Sequence, residues 1–135
     1  AINYTYKKYG IEAGRTLAKY DPNLPADTAG VTATDLSYLK IGPEAFTDPS
    51  ARGLGPFDAS RLPGTLHHEG VHVNQITEGL KTPLTSEYVS SIEAEAYYST
   101  LQNSKMLQLS PNVNEYYQIR YEQEVRNFTY DSYKK

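Results

Sequence analysis

All three histidines of this chain fall within six positions, and two of them frame a glutamate: His68-Glu69-Gly70-Val71-His72. In a helix, residues four apart stand one above the other, so both imidazoles can address one divalent ion. The glutamate after the first histidine lies beside that ion and can take a proton from a water held there. The chemistry this spacing predicts is metal-assisted hydrolysis, with His68 and His72 as ligands and Glu69 as general base.

A catalytic zinc site usually takes three protein ligands and leaves the fourth position to water. The chain has no cysteine and no fourth histidine, so the third ligand must be an aspartate or a glutamate. The stretch Ser91-Ile92-Glu93-Ala94-Glu95-Ala96-Tyr97-Tyr98 reads as a second helix. Helical rotation puts Val89, Ala96, Tyr97 and Thr100 on the side of Glu93, and Ser91, Tyr98, Ser99 and Gln102 on the side of Glu95. The first set is small and mostly apolar, as a face packed on another helix should be. Glu93 is therefore the expected third ligand, and Glu95 an ordinary solvent-facing charge. Two imidazoles and a carboxylate suit Zn2+ best among the divalent first-row metals.

Other polar residues near the motif read less sharply. His67 is turned about 100° from His68 and is expected to point away from the metal. Gln75 reads as a surface amide, with orientation of His72 as the other possibility. Asp58 is a candidate support for the site on sequence proximity alone. Tyr88, Tyr97, Tyr98 and His67 are the candidates for a second donor to a reaction oxyanion. Glu122 and Glu124, flanked by Arg120 and Arg126, read as a charge-laced solvated face. Gly53 and Gly55 punctuate a loop and have no following Lys-Ser/Thr to make a phosphate cradle.

The elements that must position these groups are few. Leu66, Val73 and Ile76 form an apolar stripe beside the histidines, and Pro63-Gly64-Thr65 offers a break and a capping hydroxyl. With a stop at Gly79, they predict a motif helix over about 64–79. Thr85-Ser86-Glu87 starts a helix running to about Leu107, and Ser110-Pro111 opens a last one reaching Asn127 or beyond. A short helix is expected near Ile11–Ala18, a loop over 21–30, and a short strand over Leu36–Ile41 stopped by Gly42-Pro43. Residues 47–64 read as a loop with one helical turn. The expected architecture is α+β, in one domain spanning residues 1–135.

Composition narrows the function classes. The net charge of −3 is scattered, with no basic stripe, and three phenylalanines with no tryptophan give no usual stacking platform, so nucleic acid is not expected as a partner. No apolar run approaches membrane-spanning length, and no signal pattern opens the chain. The start at Ala1 fits a segment of something longer, or a chosen boundary.

Three stretches resemble a known family. They are Leu39-Lys40-Ile41-Gly42-Pro43-Glu44-Ala45-Phe46, Leu66-His67-His68-Glu69-Gly70-Val71-His72-Val73-Asn74-Gln75, and Ile92-Glu93-Ala94-Glu95-Ala96-Tyr97. Together they look like the metallopeptidase domains at the C-termini of bacterial polymorphic toxins, carried on Rhs-repeat proteins and related contact-dependent effectors. The likeness spans about residues 36–109; residues 1–30 and the C-terminal helix have no counterpart in it. It implies a minimal zincin-like fold of the gluzincin type, with a small sheet packed on the metal-binding and third-ligand helices. His68 and His72 match the ligand positions, Glu69 the base and Glu93 the third ligand. Several gluzincins carry an aspartate four residues after that glutamate, where this chain has Tyr97.

The resemblance further implies a protein or peptide substrate and secretion or delivery into a neighbouring cell, with action in its cytoplasm or periplasm. It also implies a cognate immunity protein. Two other functions use the same residues: a metal-binding module without catalysis, and a zinc amidase acting on non-protein amides such as cell-wall crosslinks.

Overall fold

The computed structural model describes residues 1–11, 16–50 and 55–133, with side chains up to residue 129. Its elements run α1 (Ile2–Lys8), β1 (Ala18–Tyr20), β2 (Gly30–Thr32), β3 (Leu39–Ile41), a 3-10 turn (Pro43–Phe46), α2 (Arg61–Glu78), α3 (Ser86–Gln102) and α4 (Pro111–Tyr133). The fold class is α+β, as the sequence predicts. The sheet has the order β1-β3-β2, with β1 parallel and β2 antiparallel to β3.

The central strand β3 carries Leu39 and Ile41 into the core, and both are almost wholly buried. Its start is later than the expected Leu36, because Leu36 sits at φ 61° in a turn closed by its amide onto the Ala33 carbonyl. The helix expected near Ile11–Ala18 is corrected. Helix α1 lies earlier, at Ile2–Lys8, and Ala18 already belongs to β1. Residues 12–15 of that expectation fall outside the described residues. Helix α1 packs Ile2 and Tyr6 on the core.

Helix α2 presents two stripes. Leu62, Leu66 and Val73 face the core beneath the sheet. Arg61, Thr65, His68 and His72 recur at i, i+4, i+7 and i+11 and so share a second face, about 100° round from the first. Glu69 falls between the two and is buried.

The expected start of α2 at residue 64 is three residues late. Pro63 and Gly64 lie inside the helix, where a proline in the first turn removes only an N–H that would lack a partner anyway. Thr65 is no cap: its hydroxyl donates to the Arg61 carbonyl at 2.8 Å. Gly64 is there for contact. A Cβ on it would lie 2.9 Å from Cε2 of Tyr117, the residue α4 presses against this turn.

The caps of α3 and α4 follow the sequence. Thr85 Oγ1 accepts from the Tyr88 amide at 3.1 Å, and Ser110 Oγ from the Val113 amide at 3.2 Å. Helix α3 ends at Gln102 rather than near Leu107, because Asn103 turns the chain and Leu107 returns into the core. Helices α3 and α4 then close on Tyr97, Val113 and Tyr117 in a second small cluster.

Candidate metal centre

Helix α2 supplies two imidazoles and α3 one carboxylate to a single point. The ligating atoms of His68, His72 and Glu93 all lie within 4.8 Å of one another. His68 Nε2 is 3.1 Å from His72 Nε2 and 3.6 Å from Glu93 Oε2, while Glu93 Oε1 contacts His72 Nε2. Ligand atoms about 2.0–2.1 Å from a tetrahedral ion stand roughly 3.3 Å apart. The spacing therefore fits a zinc-sized ion, and the donor set is of the type zinc takes.

His72 is held from behind, whereas His68 Nδ1 has no hydrogen-bond partner among the described residues. Gln75 Oε1 lies 2.8 Å from His72 Nδ1, and Gln75 Nε2 donates to the Ile92 carbonyl at 3.1 Å and to Glu95 Oε1 at 3.2 Å. Those last two groups only accept, so the amide must turn its NH2 to α3 and its carbonyl to the imidazole. The proton of His72 is thereby placed on Nδ1 and its Nε2 lone pair on the ligand side. The surface-amide reading of Gln75 is overturned. Glu95 is exposed and outside the cluster, as expected of it, yet it anchors Gln75.

Electrostatics follow from this crowding. Burial lowers the pKa of His72, but the Glu93 carboxylate outweighs it and, with Glu69 and Gln75, raises it to about 9. Burial likewise opposes the charge on Glu93, yet both histidines hold its carboxyl well below the usual range.

Glu69 stands on the open side of the cluster, with Oε2 4.0 Å from His68 Nε2. Its Oε1 accepts from Thr32 Oγ1 at 2.8 Å, which fixes the carboxylate from β2. Strand β2 can come this close because of Gly30, where an added Cβ would sit 3.0 Å from Glu69 Cγ and 3.1 Å from Thr65 Cγ2. Thr32 does not figure in the sequence reading, and Gly30, expected to end the loop over 21–30, instead opens β2. The Gly-Val-Thr-Ala-Thr run is β-branched enough to have marked a strand.

A cavity of about 310 Å³ opens over the three ligands and Glu69, walled by Ala29–Thr32, Tyr97, Tyr116, Tyr117 and the two arginines Arg61 and Arg120. Of the four donor candidates, Tyr97 alone lines it. Its ring centroid is 4.4 Å from that of His68, and its hydroxyl accepts from Arg120 Nε at 3.3 Å. Burial raises the Tyr97 pKa well above that of free tyrosine, so the hydroxyl keeps its proton.

Tyr88 and Tyr98 are engaged elsewhere, with the Lys81 amide and Gln102. His67 turns away as expected, to Thr100 Oγ1 at 2.9 Å. Arg120 is corrected from a solvated face to the cavity wall. Asp58 is not a support for the cluster: it accepts from Ser60 and, at 2.6 Å, from Ser110, tying the start of α2 to that of α4.

Neither a protein-family model, a curated protein nor a solved structure matches this chain.

Proposed function

We propose that this chain is a zinc-dependent peptidase on a minimal zincin-like, gluzincin-type scaffold, with His68, His72 and Glu93 as metal ligands. The observation that carries the reading is the convergence of those three side chains beside a buried carboxylate, Glu69, that is not one of them. Bound there, zinc would polarise the scissile carbonyl and lower the pKa of water from about 15.7 toward 7. Glu69, oriented by Thr32, takes the proton of the attacking water and passes it to the departing amine. The protonated Tyr97 hydroxyl, backed by Arg120, donates to the developing oxyanion.

A peptide suits the cavity better than a compact amide. Among the described residues β2 pairs only with β3, and its residues line the cavity, so an extended chain can add along the free edge. A second cavity of about 160 Å³, lined mainly by Ile76, Leu80, Leu84, Val89 and Ile92, adjoins His72 and Glu93 and suits an apolar side chain beside the scissile bond. The resemblance adds a role as an interbacterial toxin domain restrained by an immunity protein.

The test is metal analysis with a protein-substrate digest. Glu69→Gln should retain zinc and lose cleavage by at least about a hundredfold, whereas Glu93→Ala should lose the metal. Equal cleavage by wild type and Glu69→Gln rejects the reading. Growth arrest by the wild type but not Glu69→Gln, on targeting to the cytoplasm or the periplasm of a bacterial host, tests the toxin role and its compartment.

A further inference from the structure

Arg61 lines this cavity, as Asp27 does, and the proposed hydrolysis uses neither. Arg61 is 3 % exposed, and its Nε and Nη1 have no hydrogen-bond partner among the described residues. Its nearest carboxylate is Glu44, whose Oε1 stands 3.7 Å from Nη1, beyond hydrogen-bond reach. The Tyr116 ring covers the guanidinium with its centroid 4.6 Å from Cζ. A buried guanidinium with unfilled donors is costly, and its planar fork is matched by a carboxylate. Glu44 is also shared: its Oε2 lies 3.2 Å from the Thr47 hydroxyl.

Position brings the guanidinium's residue to the cavity. Arg61 lies on the same face of α2 as His68 and His72 and lines the same cavity as they do. Its Cα is seven residues, or about 10 Å along the helix, from that of His68. An extended peptide covers that length in about three residues. Arg120, on the facing helix α4, adds a second positive charge to the wall.

The geometry points to Arg61 as the binding site for a substrate carboxylate within a few residues of the scissile bond. That carboxylate is either the C-terminus of a peptide or an acidic side chain. The inference rests on the peptidase reading for the place of the scissile bond, and carboxylate capture itself needs no metal.

Calorimetry on chelator-treated protein tests it without competition from zinc. The probes are acetyl-trialanine as the free acid, the same peptide as its amide, and the amide with glutamate at the last position. Wild type should bind one or both acids at least about tenfold more tightly than the neutral amide. Which acid is preferred separates a chain terminus from a side chain.

Arg61→Gln should abolish the preference, and Arg61→Lys should keep part of it. Glu44→Gln, which removes the competing carboxylate, should enlarge it. No preference in wild type, or one that survives Arg61→Gln, overturns the inference. Should Arg61→Gln fail to fold, an unchanged preference in Glu44→Gln overturns it. A preference intact in a protein that cleaves nothing sinks the peptidase reading and leaves this one standing. Cleavage indifferent to the carboxylate does the reverse.

Discussion

Gln75 Oε1 and His72 Nδ1 stand 2.8 Å apart, and that contact decides which nitrogen of His72 is free to bind a metal. The amide cannot flip, because its NH2 is already given to the Ile92 carbonyl and to Glu95. The same side chain thus pins α2 to α3 and fixes the imidazole tautomer.

Removing this support should weaken the metal site without removing a ligand. Gln75→Leu is expected to lower zinc affinity by about 10–100-fold, the usual cost of losing a partner behind a ligating histidine. Glu95→Ala should cost less, because the Ile92 carbonyl still holds the amide. Competition titration against a chromophoric chelator measures both. Wild-type affinity in Gln75→Leu would remove this role from the glutamine.

The contrast between Glu93 and Gln75 marks what a sequence of this kind carries. Two histidines one turn apart and a carboxylate on the apolar side of the next helix follow from helical periodicity, so the cluster was legible. Gln75 reads as a surface amide because the groups that fix its NH2 come from α3, about twenty positions on, and helical spacing is silent on which amide meets them. Arg120 was misread for the same reason: its partner Tyr97 lies on another helix. Pro63-Gly64 reads as a break because both residues are turn formers, while its real constraint, Tyr117, is fifty-odd residues away. Strands of three residues, such as β2, are too short for alternation to show.

The His72–Glu93 pair should make the metal-free protein depend on pH in a defined window. Burial opposes the charge on His72, but Glu93 wins and raises its pKa from 6.5 to about 9, so the folded state holds that proton more tightly than the unfolded chain. Its stabilising contribution is full below about pH 6.5 and is lost as pH rises through about 9. Glu93 is shifted the other way, against burial, by the two histidines. Its contribution is present above the ordinary carboxylate pKa of 4.5 and declines as pH falls below it. Thermal melts with a chelator present should therefore peak between roughly pH 4.5 and 6.5 and fall toward pH 9. Saturating zinc, which requires a neutral imidazole, should abolish the fall on the alkaline side. A chelated protein with a flat profile from pH 6 to 9 would contradict the pairing.

Two glycines of α2 should respond in opposite directions to one added methyl group. Gly70 lies between the ligands in sequence, yet a Cβ there would meet nothing within 4 Å. Gly70→Ala should stabilise the helix by roughly 0.5–1 kcal/mol through the lower backbone entropy of alanine. At Gly64 the same methyl would lie 2.9 Å from Tyr117 Cε2 and 3.0 Å from its hydroxyl, against a buried ring. Gly64→Ala should cost about 1–3 kcal/mol, the range for overpacking a filled site. Urea melts of the two single variants, and of Gly64→Ala combined with Tyr117→Leu, settle the cause. If contact with the tyrosine is the constraint, the penalty at position 64 shrinks or vanishes on the leucine background. An equal penalty on both backgrounds would place the constraint in the backbone of α2 instead.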